Sequence, residues 1–139
     1  MSASWEVQKV LYEQLKADST FMNLIGNRLY DEPETNEIYP YVVVGDSIEI
    51  PDNDLSHLGY DTSVTFTIKT KPAGLGFYTA KNILKEMNRI LNNKIFDMTG
   101  FTMIICRFDN MITDRDNDIR TISVRYQVLT DTETKITYI

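Results

Sequence analysis

Cysteine and histidine are nearly absent from this chain of 139 residues, with one of each, and that scarcity removes most site chemistry at the outset. A metal centre built on imidazoles needs more than His57. An internal disulfide needs more than Cys106, which fits a reducing compartment. Long apolar runs are missing too: no segment approaches the ~20 residues that span a bilayer, and the start, Met1-Ser2-Ala3-Ser4-Trp5-Glu6, has no basic stretch leading into an apolar one. The expectation is a soluble, cytoplasmic chain with no membrane role. Clusters of basic residues are also lacking. The net charge is −6, and Lys and Arg are spread along the sequence. Direct binding to a phosphate backbone is therefore disfavoured, although an acidic surface can face DNA without holding it.

What remains is an ordinary globular composition, 42% hydrophobic and 24% charged. A chain of this length buries roughly 70% of its extended surface, so it needs neither metal nor disulfide to fold. No linker or repeat interrupts it, and the expected unit is one domain, 1–139. Val7, Val10, Leu11 and Leu15 recur at helical spacing in the first segment, with Ser4 as the expected N-cap. A short turn over 20–25 stops at Gly26, and Arg28-Leu29-Tyr30-Asp31 reads as a short strand. Tyr39-Pro40-Tyr41-Val42-Val43-Val44-Gly45 is apolar at every other position and between, as in a strand covered on both faces, with Pro40 at its start. Val64, Phe66 and Ile68 alternate with Ser63, Thr65 and Thr67, the period of a half-buried strand. The longest helix follows, its stripe made of Phe77, Ala80, Leu84, Met87 and Leu91, widened by Ile83 and Ile90. Residues 101–108 read as a strand, 109–118 as a charged loop, and Ile122, Val124, Tyr126 and Val128 as a final alternating strand. The fold class is α+β: an antiparallel or mixed sheet with an N-terminal helix and one long central helix packed on one face.

Motifs that could carry chemistry fail at identifiable positions. Asp114-Arg115-Asp116-Asn117-Asp118 begins like a calcium loop, but Ile119 stands where the turn needs glycine and Arg125 where a bidentate glutamate is needed. Gly74-Leu75-Gly76 lies between strand and helix, yet the third glycine of a dinucleotide fingerprint is replaced by Thr79. Cys106 sits in an apolar strand and His57 in a loop, so no thiol–imidazole pair is indicated. Carboxylates are too numerous for any pair to stand out as acid and base, and Tyr39, Tyr41 and Tyr126 fall at packing positions. No catalytic, metal or cofactor residue is assigned. The end of the chain, Thr134-Lys135-Ile136-Thr137-Tyr138-Ile139, is β-prone; residues 132–139 either close the sheet of their own subunit or add to the edge of a neighbour.

An ordered set of short matches resembles one family over nearly the whole chain. They are Trp5-Glu6-Val7-Gln8-Lys9-Val10-Leu11-Tyr12 with Leu15 and Ala17-Asp18, then Ile25-Gly26-Asn27-Arg28-Leu29-Tyr30-Asp31, then Tyr39-Pro40-Tyr41-Val42-Val43-Val44-Gly45-Asp46. Ala80-Lys81-Asn82-Ile83, Arg107-Phe108 and Val124-Arg125-Tyr126-Gln127-Val128-Leu129-Thr130 continue the order. The set is similar to the tail-completion, or tail-to-head joining, proteins of long-tailed bacteriophages and prophages. An acidic loop over 52–57 and the apolar C-terminal extension depart from that pattern. The resemblance implies a virion protein of the tail and neck, assembled in the host cytoplasm. It implies a subunit that forms a ring, expected to be hexameric, on the head-proximal end of the tail tube, ends tube polymerisation, and binds tail tube protein and a head-neck connector while DNA passes nearby. Interface candidates are the two acidic loops, with Asp52, Asp54 and His57 in one and Asp114, Arg115, Asp116 and Asp118 in the other, and Ile136 and Tyr138 of the extension. The rival readings are another neck-region protein, such as a head-side stopper or adaptor, and a small ligand-binding domain or enzyme with a deep polar pocket.

Overall fold

In a computed structural model, which describes residues 2–32, 38–53, 58–72 and 76–132, the apolar stripes predicted from sequence converge on one face of a five-stranded sheet. Helix α1 (Ser4–Lys16) buries Val7, Val10, Leu11 and Leu15. Its cap is not Ser4. Ala3 occupies the N-cap with no side-chain bond of its own. A carboxylate from the second strand does the capping: Glu49 accepts the Ala3 N–H at 2.6 Å on Oε1 and the Ser2 hydroxyl at 2.8 Å on Oε2. A negative group there answers both the unpaired N–H groups and the positive end of the helix dipole. Helix α2 (Ser19–Leu24) is capped by Asp18, which accepts the Phe21 N–H at 2.9 Å. It ends as the sequence predicts: Gly26 is left-handed at φ 59°, and Asn27 N–H returns to the Met22 carbonyl at 2.9 Å.

Strand β1 (Leu29–Tyr30) pairs in parallel with β2 (Tyr41–Pro51), while β2, β3 (Gly59–Thr70), β5 (Ile119–Thr132) and β4 (Phe101–Asp116) pair antiparallel, in the order β1-β2-β3-β5-β4. The sheet is therefore mixed but mostly antiparallel. In β2, Tyr41, Val42, Val43 and Val44 are all buried, as an apolar run covered on both faces requires, whereas β3 and β5 bury every second residue. The buried set, including Val64, Phe66, Ile68, Ile122, Val124, Tyr126 and Val128, meets the helices. Tyr126 is the centre of this layer, with Phe66 and Phe108 edge-on at 6.2 and 6.1 Å and its hydroxyl donating to Asn88 Oδ1 at 2.7 Å.

Two further expectations are corrected. Helix α3 (Tyr78–Leu91) buries Ala80, Ile83, Leu84, Met87 and Leu91 of the predicted stripe, with Phe77 at its N-cap and Ile90 half-buried, but at 14 residues against 13 for α1 it is no single long central helix. The two helices share the face. Residues 109–116 are strand, not loop: β4 runs on to Asp116, and the turn is only Asn117 and Asp118, with Asn117 left-handed at φ 55°. Asp and Asn disfavour strands, but pairing with β5 overrides that preference. Irregularities between Met103 and Ile105 and between Phe108 and Asn110 let the long strand bend.

Candidate functional site

The surfaces this fold offers are loops, strand edges and the sheet face turned away from the helices. Pairing register locates the two acidic loops. Gly59 pairs with Asp131 at one end of β3, and Thr70 pairs with Arg120 at the other. The β2–β3 connection, with Asp52, thus lies at one end of the sheet, and the β4–β5 turn, with Asp114, Arg115, Asp116 and Asp118, at the opposite end. They are roughly 40 Å apart at ~3.3 Å per residue. The structure does not bring the two candidate loops together.

At the first end, Asp52 is exposed; its N–H donates to the Gly59 carbonyl at 2.8 Å, and Asn53 Oδ1 accepts the Gly59 N–H at 3.1 Å. Thr132 N–H donates to the Leu58 carbonyl at 2.7 Å, so the chain leaves its last strand beside this same connection. Asp54, His57, Ile136 and Tyr138 lie outside the described residues, as do Gly74 and Leu75. At the second end, Asp114 and Asp116 stand in extended strand, where a calcium loop would have to curl. Asp118 pairs instead with Lys71 at 3.7 Å, and the Arg115 guanidinium stacks 5.1 Å from the Phe77 ring. Cys106 is fully buried, and burial pushes its thiol up to about 12.

Sequence reasoning missed two features. The outward sheet face carries a ladder across three strands: Arg107 Nε donates to Gln127 Oε1 at 2.8 Å, and Gln127 Nε2 donates to Asp61 Oδ2 at 2.9 Å. Its signal was the polar half of each alternating strand, read only as the solvent side. A cleft of about 300 Å³ beside α1 is lined in part by Trp5, Tyr12, Lys16 and Asp31. Trp5 is 60% exposed there, and Lys16 lies 6.0 Å from the Tyr12 ring centre. The signal for that cleft was an aromatic residue on the charged side of the helix, opposite Val7 and Leu11.

Among the described residues the α+β frame thus offers strand edges, loops and, over β3, β5 and β4, a polar outer sheet face. The comparisons with known proteins give the family. The family model described as tail completion protein gp17 matches residues 9–131, and the chain belongs to that family. It is 27% identical over 130 residues to the tail completion protein gp17 of Bacillus phage SPP1, a match covering 91% of this chain and 94% of that protein. A chain in the solved virion of a native gene transfer agent particle shares the fold, with a TM-score of 0.78 and 22% identity over 87% of this chain and 91% of that one. Family membership makes this a structural tail-completion protein of a phage virion, at its tail or neck.

Proposed function

We propose that the chain is a ring-forming subunit seated on the head-proximal end of the tail tube, where it ends tube polymerisation and joins the tail to the neck. The observation that carries this reading is the family match, which runs from within α1 to the last residues of β5 and so takes in every element of the sheet. The separation of the two loop ends supports a division of partners: the end with Asp52 serves one neighbour along the tail axis, and the end with Asp114, Arg115, Asp116 and Asp118 serves the other. One is the tail tube protein and the other a head-neck connector. Asp54 and His57 extend the first contact. Ile136 and Tyr138, following from the strand end beside it, add a segment to a neighbouring subunit's sheet. The ring is hexameric, built from one 1–139 unit per position. Its net charge of −6 lets DNA slide through without being held. The protein acts by binding and catalyses nothing.

Purified tail tubes incubated with the full-length chain and viewed by electron microscopy test this reading. Rings at one end of the tube, and tubes that no longer elongate when fresh tube protein is added, are the expected result. A chain that leaves both tube ends bare and growing is not a tail-completing subunit. Replacing Asp114, Asp116 and Asp118 together by Asn then separates the two ends: loss of one partner with retention of the other is expected, and loss of neither removes this loop from the interface.

A further inference from the structure

Two stretches of strand have no neighbour on one side among the described residues, and they lie on opposite edges of the same sheet. Strand β4 pairs only with β5. Residues 92–96 cover its first half, through the bridge between Lys94 and Cys106 and through Asn92 Oδ1, which accepts the Phe108 N–H at 2.8 Å. Residues 110–116 are left open. On the far side, β1 pairs with β2 only at Val42 and Val43, which leaves residues 47–51 with no strand beside them there among the described residues; the Ser47 and Glu49 side chains bond residues 2–4 at the start of α1, on the helix side of the sheet. Exposed edges are commonly guarded by lysine. Neither stretch contains one; Asp114, Arg115 and Asp116 charge the end of the first and Pro51 closes the second, but each also presents isoleucine: Ile112 is 68% exposed, Ile48 51% and Ile50 56%. All three share the sheet face away from the helices, as their cross-strand partners Ser123, Ser63 and Asp61 do.

Resting on the ring reading above, we propose that residues 110–116 of one subunit pair with residues 47–51 of the next, so that the sheets continue around the ring. The strand directions fit. Strands β2, β3, β5 and β4 alternate in direction, so β4 runs opposite to β2. A second copy set beside the first in the same orientation therefore presents its β2 antiparallel to β4. The levels of the two open stretches fit as well. Ile112 is level, through Ser123 and Thr67, with Val43, whereas Ile48 lies opposite Ser63, four residues along β3. Joining Ile112 to Ile48 thus shifts each subunit by about 13 Å along the strands. A closed cylinder of tilted strands requires such a stagger between its members. A second copy of this chain is the occupant because both halves of the contact are present on it, on opposite edges, as a heterologous ring needs.

The test uses full-length chains carrying Ile112→Cys, Ile48→Cys or both, treated with a short bis-maleimide linker during assembly on purified tail tubes. Cys106 is fully buried and does not compete. The double variant is expected to give a ladder of covalent oligomers, and each single variant to stay monomeric. Rings of the double variant seen by microscopy without a ladder overturn the pairing while the ring reading stands. Strong dimers from Ile112→Cys alone overturn it in favour of β4 meeting β4. Tube ends left bare by the wild-type chain overturn both. Ile112→Lys supplies an independent arm: rings lost with thermal unfolding unchanged supports the pairing, and rings retained refutes it.

Discussion

Asp18 joins two helices through one oxygen atom, and replacing it separates the contributions of a cap and a charge. Its Oδ1 accepts the Phe21 N–H of α2 at 2.9 Å and the Arg89 Nη2 of α3 at 2.8 Å. The Phe21 N–H foremost, and the Arg89 guanidinium after it, hold the carboxyl below its usual value of 3.8 against the opposing effect of burial. Asp18→Ala removes the cap and the ion pair together, at a cost of about 1–2 kcal/mol. Asp18→Asn keeps an acceptor for Phe21 and loses only the charge, costing roughly 0.5 kcal/mol because the site is partly solvated. At ~4 °C per kcal/mol for a chain of this size, the two variants should melt at about 6 and 2 °C below wild type. The sign of the pH effect follows from the depressed carboxyl. Its stabilisation is fully present above the unfolded value near 3.8 and is lost as pH falls through the lower folded value. Urea titrations at neutral pH and at a series of pH values from about 4 down to about 2 measure the gap between wild type and Asp18→Asn. That gap should close across the acid range, while the gap to Asp18→Ala narrows only in part. A gap to Asp18→Asn that stays constant down to the lowest pH, or an Asn variant as damaged as the Ala one, would refute the assignment of a charge-dependent contact.

Three further outcomes follow from the core. Tyr126→Phe removes the hydroxyl that donates to Asn88 Oδ1 and leaves that acceptor short of a partner; the urea midpoint should fall by the equivalent of about 1 kcal/mol. Gly59→Ala places a Cβ 2.7 Å from the Thr130 carbonyl oxygen and 2.9 Å from that of Asp52, so it should destabilise by about 1–3 kcal/mol, and an unchanged melting temperature would show that the strand end relaxes freely. Cys106, buried and with its thiol pushed up to about 12, should not react with a chromogenic disulfide reagent at mildly alkaline pH until the chain is unfolded. Prompt reaction in the native protein would mean that the β4 side of the core opens.

The helices and the two central strands are legible in the sequence because burial imposes its period on residue type. Val7, Val10, Leu11 and Leu15 mark one helix face, and Val64, Phe66, Ile68, Ile122, Val124, Tyr126 and Val128 mark one sheet face, with few exceptions to either rhythm. What escaped reading depends on residues distant along the chain. Glu49 caps α1 across 46 residues of sequence, so nothing near Ser4 announces it. Residues 109–116 become strand because β5 pairs with them, although their own composition reads as loop. The acidic character of the two candidate segments was legible, and Asp52, Asp114, Asp116 and Asp118 are exposed. That they sit at opposite ends of the sheet, and that the open edges lie on opposite sides, follows from strand order, and no local pattern encodes strand order.

That order also fixes when the fold can be completed. Strand β5 is the last described element, yet it lies between β3 and β4 and pairs with both along most of its length. Without residues 119–132, β3 and β4 have no strand between them, and the face that the helices cover is interrupted. Pairing of β5 is thus the step that joins the β2–β3 hairpin and β4 into one sheet. The outer edge of β4 is formed only once β5 has paired along its inner side, so a subunit whose sheet has not closed offers no such edge to a neighbour.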